Sequence, residues 1–132
     1  MRAQAGTFVK KSSCLLLAAA LACGGANASD GGEISPQAVL AFAGQANAPL
    51  VLDVRSAEEF ASGHVPGAIN LSHEQVAARV GELDRTREVV VYCERGMRAA
   101  KAAEVLSSAG FEVKHLTGDM SGWREQGLPV ER

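Results

Sequence analysis

Two short apolar runs constrain the fold of this 132-residue chain more than any other feature of its sequence. Residues 50–54 read LVLDV and residues 89–93 read VVVYC, so nearly every side chain in both runs is apolar. A strand with one wet face alternates apolar and polar residues, whereas a strand covered on both faces is apolar throughout. Both runs therefore predict central strands that are buried on two sides.

Helical patterns lie between the strand-like runs. Ser56 is followed three residues later by Glu59, and Ser72 by Gln75, which are two capping boxes that predict helix starts, the second helix reaching towards Val80. Glycine and proline in residues 63–67 (GHVPG) predict a turn. The remaining predicted elements are a helix over 35–42, a strand over 68–71, a helix from Arg98 to a cap at Gly110, a strand over 113–116 and a helix around Trp123. Strands that alternate with helices predict an α/β fold, a central parallel sheet with helices on both faces.

The first 28 residues read as a signal peptide. Basic residues precede nine apolar ones, residues 14–22 (CLLLAAALA), a run too short for a stable membrane span, which needs roughly 20 residues. The small residues Ala26 and Ala28 predict cleavage before Ser29. We therefore expect a periplasmic protein with a signal peptide over 1–28, a flexible linker over 29–34 and one domain over 35–132.

A second processing route stays open for the leader. Residues 20–23 (ALAC) resemble a bacterial lipoprotein box, and the Gly-rich residues after Cys23 would serve as a tether. In this alternative the protein is anchored to a membrane through Cys23. Both routes place the domain outside the cytoplasm.

Composition favours one soluble globule and argues against nucleic acid as a partner. Hydrophobic residues make up 47% of the chain and charged residues 21%, which is enough apolar material for a single core. The formal net charge is −2 and the basic residues are scattered, so no basic stripe is present to bind a phosphate backbone.

Cysteine usage singles out one residue. Cys14 and Cys23 fall in or beside the leader, which leaves Cys93 alone in the predicted domain without a disulfide partner. A lone thiol in an oxidising compartment indicates either use or burial. An inert cysteine buried at a strand end is the alternative to a nucleophile.

The loop that follows Cys93 predicts a nucleophile. An ordinary thiol is only about 3% thiolate at pH 7, so its anion must be stabilised. A helix N-terminus supplies roughly 0.3 to 2 kcal/mol, and successive loop N–H groups, with Gly96 allowing the tight curve, would add to it. Arg95 and Arg98 carry guanidinium groups suited to an anionic substrate. Glu94 partly offsets their charge.

Three segments give the chain a resemblance to a known family. Residues 52–71 (LDVRSAEEFASGHVPGAINL), 89–103 (VVVYCERGMRAAKAA) and 116–130 (LTGDMSGWREQGLPV) resemble a single-domain rhodanese of the exported bacterial type. The resemblance implies a rhodanese-like fold and a two-step sulfur transfer through a Cys93 persulfide, without a metal or organic cofactor. One departure is Asp119, where the family commonly has a second glycine, and it affects the wall of the pocket.

The resemblance also implies roles and partners. Cys93 would be the catalytic nucleophile, and the substrate-binding loop would be formed by Glu94, Arg95, Gly96, Met97 and Arg98. The donor would be a small anion such as thiosulfate, and the acceptor cyanide or a thiol, possibly on a protein.

Two polar residues beside the first strand are expected to support the site. Asp53 is either a buried carboxylate that holds Arg55 or another loop, the preferred interpretation, or a proton-handling group. Arg55 is expected to form a scaffold ion pair rather than to bind the donor. His64, His73 and His115 are expected to be ordinary surface or turn residues.

Rival functions follow from the same cysteine. A cysteine phosphatase or arsenate reductase needs five residues between cysteine and arginine, and only four separate Cys93 from Arg98. A persulfide carrier or protein-binding module without turnover is the other alternative.

Overall fold

The fold, given by a computed structural model, is a parallel sheet with helices on both faces. The structure describes residues 32–132, and the predicted signal peptide lies outside them. The strands of this region are Gly32–Ile34 (β1), Leu50–Asp53 (β2), Ile69–Asn70 (β3), Val89–Tyr92 (β4) and Val113–Leu116 (β5). Their order is β1-β5-β4-β2-β3, and all neighbours run parallel. The predicted α/β class is confirmed.

The helices divide between the two faces of the sheet. They are Pro36–Ala41 (α1), Ala57–Ser62 (α2), Val76–Arg79 (α3), which continues into a 3₁₀ turn at Val80–Glu82, Met97–Ser108 (α4) and Asp119–Glu125 (α5). Side chains of α3 and α4 pack into one hydrophobic cluster, and those of α1, α2 and α5 pack into the other. Within residues 32–132, no helix combines the length and apolar character needed to cross a membrane.

The two central strands are covered on both faces, as their composition predicts. Every residue of β2 and β4 is buried. In β4, Val89 and Val91 belong to the cluster under α3 and α4, whereas Val90 and Tyr92 belong to the opposite cluster. A fully buried valine contributes roughly 1.5 to 3 kcal/mol relative to an exposed one, so these strands anchor the core.

The sheet begins earlier than the sequence predicts. Gly32–Ile34, the end of the predicted flexible linker, forms edge strand β1 and pairs in register with Lys114–Leu116 of β5. The glycine-rich sequence predicts flexibility, but backbone pairing with β5 and burial of Ile34, which is 7% exposed, order these residues. The linker prediction is therefore wrong for residues 32–34.

One predicted helix cap is also wrong. Ser72 caps no helix, because α3 begins at Val76 and its N-cap residue makes no side-chain bond. The Gln75 N–H donates instead to the Ser72 carbonyl oxygen at 2.8 Å, as in a turn. The His73 N–H donates to the Val54 carbonyl oxygen at 3.0 Å, which holds the start of this turn beside the end of β2.

The strand order creates a crevice at the carboxyl ends of β2 and β4. The chain passes from β2 to β3 in one direction and from β4 to β5 in the other, with α2 and α4 on opposite faces. Ligand sites of open parallel sheets lie at such reversals of strand order. Cys93 follows β4 and Arg55 follows β2, so the residues singled out from the sequence meet at this crevice.

Candidate active site

Cys93 lies between the end of β4 and the start of α4. Its Sγ accepts a hydrogen bond from the Gly96 N–H at 2.9 Å, which closes a tight loop. Gly96 has a φ of 117°, in the left-handed region that favours glycine, and α4 begins at the next residue. The sulfur therefore lies at a helix N-terminus, where backbone N–H groups favour negative charge.

Fewer amides reach the sulfur than the sequence predicts. In residues 32–132, the Gly96 N–H is the single backbone donor to Sγ. The N–H groups of Glu94, Arg95, Met97 and Arg98 have no protein acceptor in that same region. These four donors are available to an anion bound at the loop.

The burial of Cys93 fits both interpretations of this residue. Cys93 is 2% exposed and packs in the cluster under α3 and α4. Burial alone is what an inert core cysteine would show. The Gly96 N–H bonded to the sulfur, together with loop amides that lack protein acceptors, distinguishes this site from an ordinary core position.

The two arginines of the loop are not equivalent. Arg98 donates to both carboxylate oxygens of Glu59 on α2, at 2.9 and 3.0 Å. This bidentate pair lowers the pKa of Glu59 and raises that of Arg98. Arg95 is exposed and makes no ion pair within the described part of the chain. Arg95 therefore offers an anion more uncompensated charge than Arg98 does.

The remaining two side chains of the loop are those of Glu94 and Met97. Glu94 pairs with Arg124 on α5 and lies 3.3 Å from an Nη1 atom of Arg55. The hydrogen bond from Arg124 is the main reason that the pKa of Glu94 is lowered. Met97 is 79% exposed at the first position of α4. Glu94 is thus engaged by protein cations, while Met97 borders the loop.

Asp53 and Arg55 form a buried ion pair at the end of β2. Both residues are 0% exposed, and Arg55 Nη2 lies 2.7 Å from Asp53 Oδ2. Arg55 also donates to the Gly63 carbonyl oxygen at 2.8 Å. The Tyr92 hydroxyl donates to Asp53 at 2.8 Å and accepts the Val65 N–H at 3.1 Å. This network ties the ends of β2 and β4 to the turn after α2.

Residues 35–126 match the family described as Rhodanese-like domain. The chain belongs to this family. The resemblance found in the three sequence segments is thereby confirmed. This rhodanese-like domain places its one cysteine within residues 32–132 at the crevice of the sheet.

Two curated proteins and one solved structure show the breadth of the similarity. Thiosulfate sulfurtransferase GlpE of Shewanella oneidensis is 37% identical over 82 residues, which are 61% of this chain and 81% of that protein. An HTH-type transcriptional regulator of Mycobacterium tuberculosis is 40% identical over 89 residues, covering 66% of this chain but 39% of the regulator. A full-length Lactobacillus plantarum protein of known structure is 38% identical, with a TM-score of 0.69 over 75% of this chain and 86% of its own.

Sequence reasoning missed His115 and the contacts of Asp119, whose departure from the family pattern it noted. His115, expected to be an ordinary strand residue, has its Nε2 2.9 Å from Asp119 Oδ1. The same oxygen accepts the Cys93 N–H at 3.0 Å. The departure at Asp119 is visible in the sequence, but its pairing with His115 depends on the path of the chain between β5 and α5.

Proposed function

We propose that this protein is a sulfurtransferase that moves sulfane sulfur from thiosulfate, or a similar anionic donor, to cyanide or a thiol. The observation that carries the proposal is the Cys93 Sγ bonded to the Gly96 N–H, at a loop whose other amides lack protein acceptors. The names of related proteins, such as the thiosulfate sulfurtransferase of Shewanella oneidensis, support the same chemistry.

The reaction proceeds in two displacements at sulfur. The Cys93 thiolate attacks the outer sulfur of thiosulfate, the sulfur–sulfur bond of the donor breaks, and sulfite leaves with the bonding electrons. Cys93 then carries a persulfide. Cyanide or a thiolate attacks the outer sulfur of that persulfide, forming thiocyanate or a new persulfide and returning the Cys93 thiolate. No net change in the protein remains after one cycle.

The loop would stabilise the charged states of this cycle. The persulfide carries its negative charge on the outer sulfur, one bond beyond Sγ. The N–H groups of Arg95, Met97 and Arg98, which have no protein acceptor within residues 32–132, are positioned in the loop that would receive this atom. Arg95 would add charge attraction for the incoming donor.

A persulfide carrier without rapid turnover is the second candidate. The low exposure of Cys93, at 2%, favours it, because a nearly buried persulfide would react slowly with any acceptor that is not held beside the loop by docking. The match to a transcriptional regulator shows that a protein named for another function carries a similar region. In this case a protein thiol would be the preferred acceptor.

Mass spectrometry of the protein purified from its exported fraction tests the proposal. After thiosulfate treatment we expect a gain of about 32 Da, one sulfur atom, that cyanide removes as thiocyanate. The Cys93→Ser variant should gain nothing. Steady turnover with cyanide indicates an enzyme, and transfer only to a protein thiol indicates a carrier. An unchanged mass in the wild-type protein would contradict both.

We further propose that the protein acts outside the cytoplasm. The leader sequence over residues 1–28 supports this location, although those residues lie outside the described structure. In the same experiment, the mass of the untreated protein shows how the leader is processed. A chain that begins at Ser29 supports signal cleavage, and a lipidated Cys23 supports membrane anchoring. An uncut leader would contradict export.

A further inference from the structure

The first residue of α5 has an unusual backbone conformation. Asp119 has a φ of 54°, and within residues 32–132 it is the only non-glycine residue with positive φ. Such a conformation is unfavourable for most side chains and persists where surrounding contacts hold it. Asp119 is also buried, at 5% exposure. Its contacts therefore indicate what holds it in place.

The segment that starts at Asp119 holds the backbone on both sides of the nucleophile. Asp119 Oδ1 accepts the Cys93 N–H at 3.0 Å. The Met120 N–H donates to the Cys93 carbonyl oxygen at 3.0 Å, and the Ser121 N–H donates to the Glu94 carbonyl oxygen at 3.1 Å. Three hydrogen bonds from one turn thus fix the two residues from which the loop departs.

The Asp119 carboxylate also lies against the loop itself. A Cβ added to Gly96 would lie 3.2 Å from Asp119 Oδ2 and 3.6 Å from His115 Cε1. The Gly96 N–H is the group that donates to Cys93 Sγ. The carboxylate therefore lies against the residue whose N–H binds the sulfur. A negative charge beside this loop disfavours a thiolate there unless another group cancels it.

His115 can cancel this charge. Its Nε2 lies 2.9 and 3.0 Å from the two oxygens of Asp119, and its side chain is 25% exposed. The hydrogen bond to Asp119 raises the pKa of His115, and Glu33 on the neighbouring strand β1 adds to the effect. Asp119 and Glu33 are the charged groups that face His115, and Arg98 faces Cys93 from α4.

We propose that Asp119 and His115 are positioning residues for Cys93: Asp119 fixes the loop backbone, and the His115 imidazolium cancels the repulsion between the Asp119 carboxylate and the Cys93 thiolate. This inference rests on the proposed function only in treating Cys93 as the nucleophile. As pH rises and His115 loses its proton, the carboxylate regains its net charge beside the sulfur. The reactivity of Cys93 then rises less steeply with pH than the titration of a single thiol would give.

The test measures thiolate reactivity directly, without sulfur transfer. The full chain is alkylated with iodoacetamide, a neutral probe, from pH 5.5 to 9.5. Tryptic cleavage after Arg87 and Arg95 gives a peptide whose only cysteine is Cys93, so the other cysteines of the chain do not interfere. We expect His115→Gln to slow alkylation at pH 7 by about 3- to 10-fold and to move the profile to higher pH.

The double variant separates electrostatics from structural damage. Asparagine at position 119 keeps an oxygen for the Cys93 N–H and tolerates positive φ, but removes the charge. We expect His115→Gln with Asp119→Asn to react within about 2-fold of wild type. His73→Gln, a histidine without a side-chain hydrogen bond in residues 32–132, is the control and should leave the rate unchanged.

Two outcomes would overturn the proposal. One is a folded His115→Gln variant that reacts like wild type across the pH range, and the other is a double variant that stays as slow as the single one. Failure of the proposed function would be a separate result. In that case thiosulfate would form no persulfide on Cys93, while the alkylation rates of the variants would still follow the expected pattern.

Discussion

At the scale of single residues, charge pairing decides which side chains remain for a ligand. Arg98 is neutralised by Glu59, and Glu94 is held by Arg124, so the loop presents Arg95 as its least compensated charge. Exposed ion pairs contribute only about 0.2 to 1 kcal/mol each. They nevertheless compete with an anion for the same guanidinium.

This difference predicts unequal effects of the two arginines on donor binding. Because Arg95 has no carboxylate partner in the described residues, Arg95→Ala should raise KM for thiosulfate about 5-fold, and Arg98→Ala should raise it less. Glu59→Gln, which frees Arg98, should lower KM. The measurement is steady-state transfer from thiosulfate to cyanide.

Arg79→Ala serves as the control, since Arg79 lies on α3 and forms an exposed pair with Glu82 rather than with a residue of the Cys93 loop. It should change KM by less than about 2-fold. A larger effect of Arg98→Ala than of Arg95→Ala would contradict this ranking.

The position of Cys93, the proposed nucleophile, is predictable from the sequence, whereas the charge partners around it are not. Cys93 follows an apolar run and precedes a helix, which are local patterns. The Arg98 partner Glu59 lies 39 residues earlier. His115 and Asp119 are four residues apart but bridge a strand end and a helix start, so helical spacing rules do not pair them. These contacts depend on the assembled sheet.

At the scale of elements, hydrogen bonds distinguish two similar sequence motifs. Ser56 Oγ accepts the Glu59 N–H at 3.2 Å and caps α2, as predicted. Ser72 occupies the same type of motif but caps nothing, because the N–H groups of its neighbours Leu71 and His73 bond to the end of β2 and α3 begins only at Val76. A capping box is thus a local preference that sheet pairing can override.

Substitution of these two serines tests that distinction. Ser56→Ala should lower the free energy of unfolding by about 1 kcal/mol, because it removes the cap of a six-residue helix without fully buried residues. Ser72→Ala, the matched control, should stay within about 0.5 kcal/mol of wild type. Urea denaturation followed by circular dichroism measures both, and equal losses would refute the assignment of caps.

The central strands are predictable from the sequence, whereas edge strand β1 is not. β2 and β4 are apolar on both faces, so their sequence alone indicates their place. β1 has three residues, of which only Ile34 is buried, and it follows glycine. Its pairing with β5 is set by residues about 80 positions away, beyond the reach of a local pattern.

At the scale of the whole molecule, the buried pair of Asp53 and Arg55 joins separate parts of the chain. It connects the end of β2 with Gly63, with Tyr92 and, through Glu94, with the Cys93 loop. Burial of Arg55 opposes its charge, but its hydrogen bonds and attraction to Asp53 keep its pKa raised. The site and the core therefore share one polar network.

Removal of one charge from this pair should destabilise the entire fold. Asp53→Asn removes the buried partner of the Arg55 guanidinium and leaves only the partly exposed Glu94 carboxylate, 3.3 Å from Nη1, which costs about 3 to 5 kcal/mol. Glu104→Gln makes the same change of charge on an exposed position of α4 and should cost less than about 0.5 kcal/mol. Denaturant unfolding measures the free energy of unfolding of both variants. A loss below about 1 kcal/mol for Asp53→Asn would show that the pair is dispensable.

The position of β1 determines what a shortened version of the protein would lose. The family match begins at residue 35, so a version trimmed to that boundary would lack the outermost strand. The flank of β5 would then present unpaired N–H and carbonyl groups, a template on which another chain can add a strand. Glu33, which lies opposite His115 in the register, would be lost as well. Loss of the three residues of β1 would thus both leave one edge of the sheet unpaired and alter the charge around the proposed nucleophile.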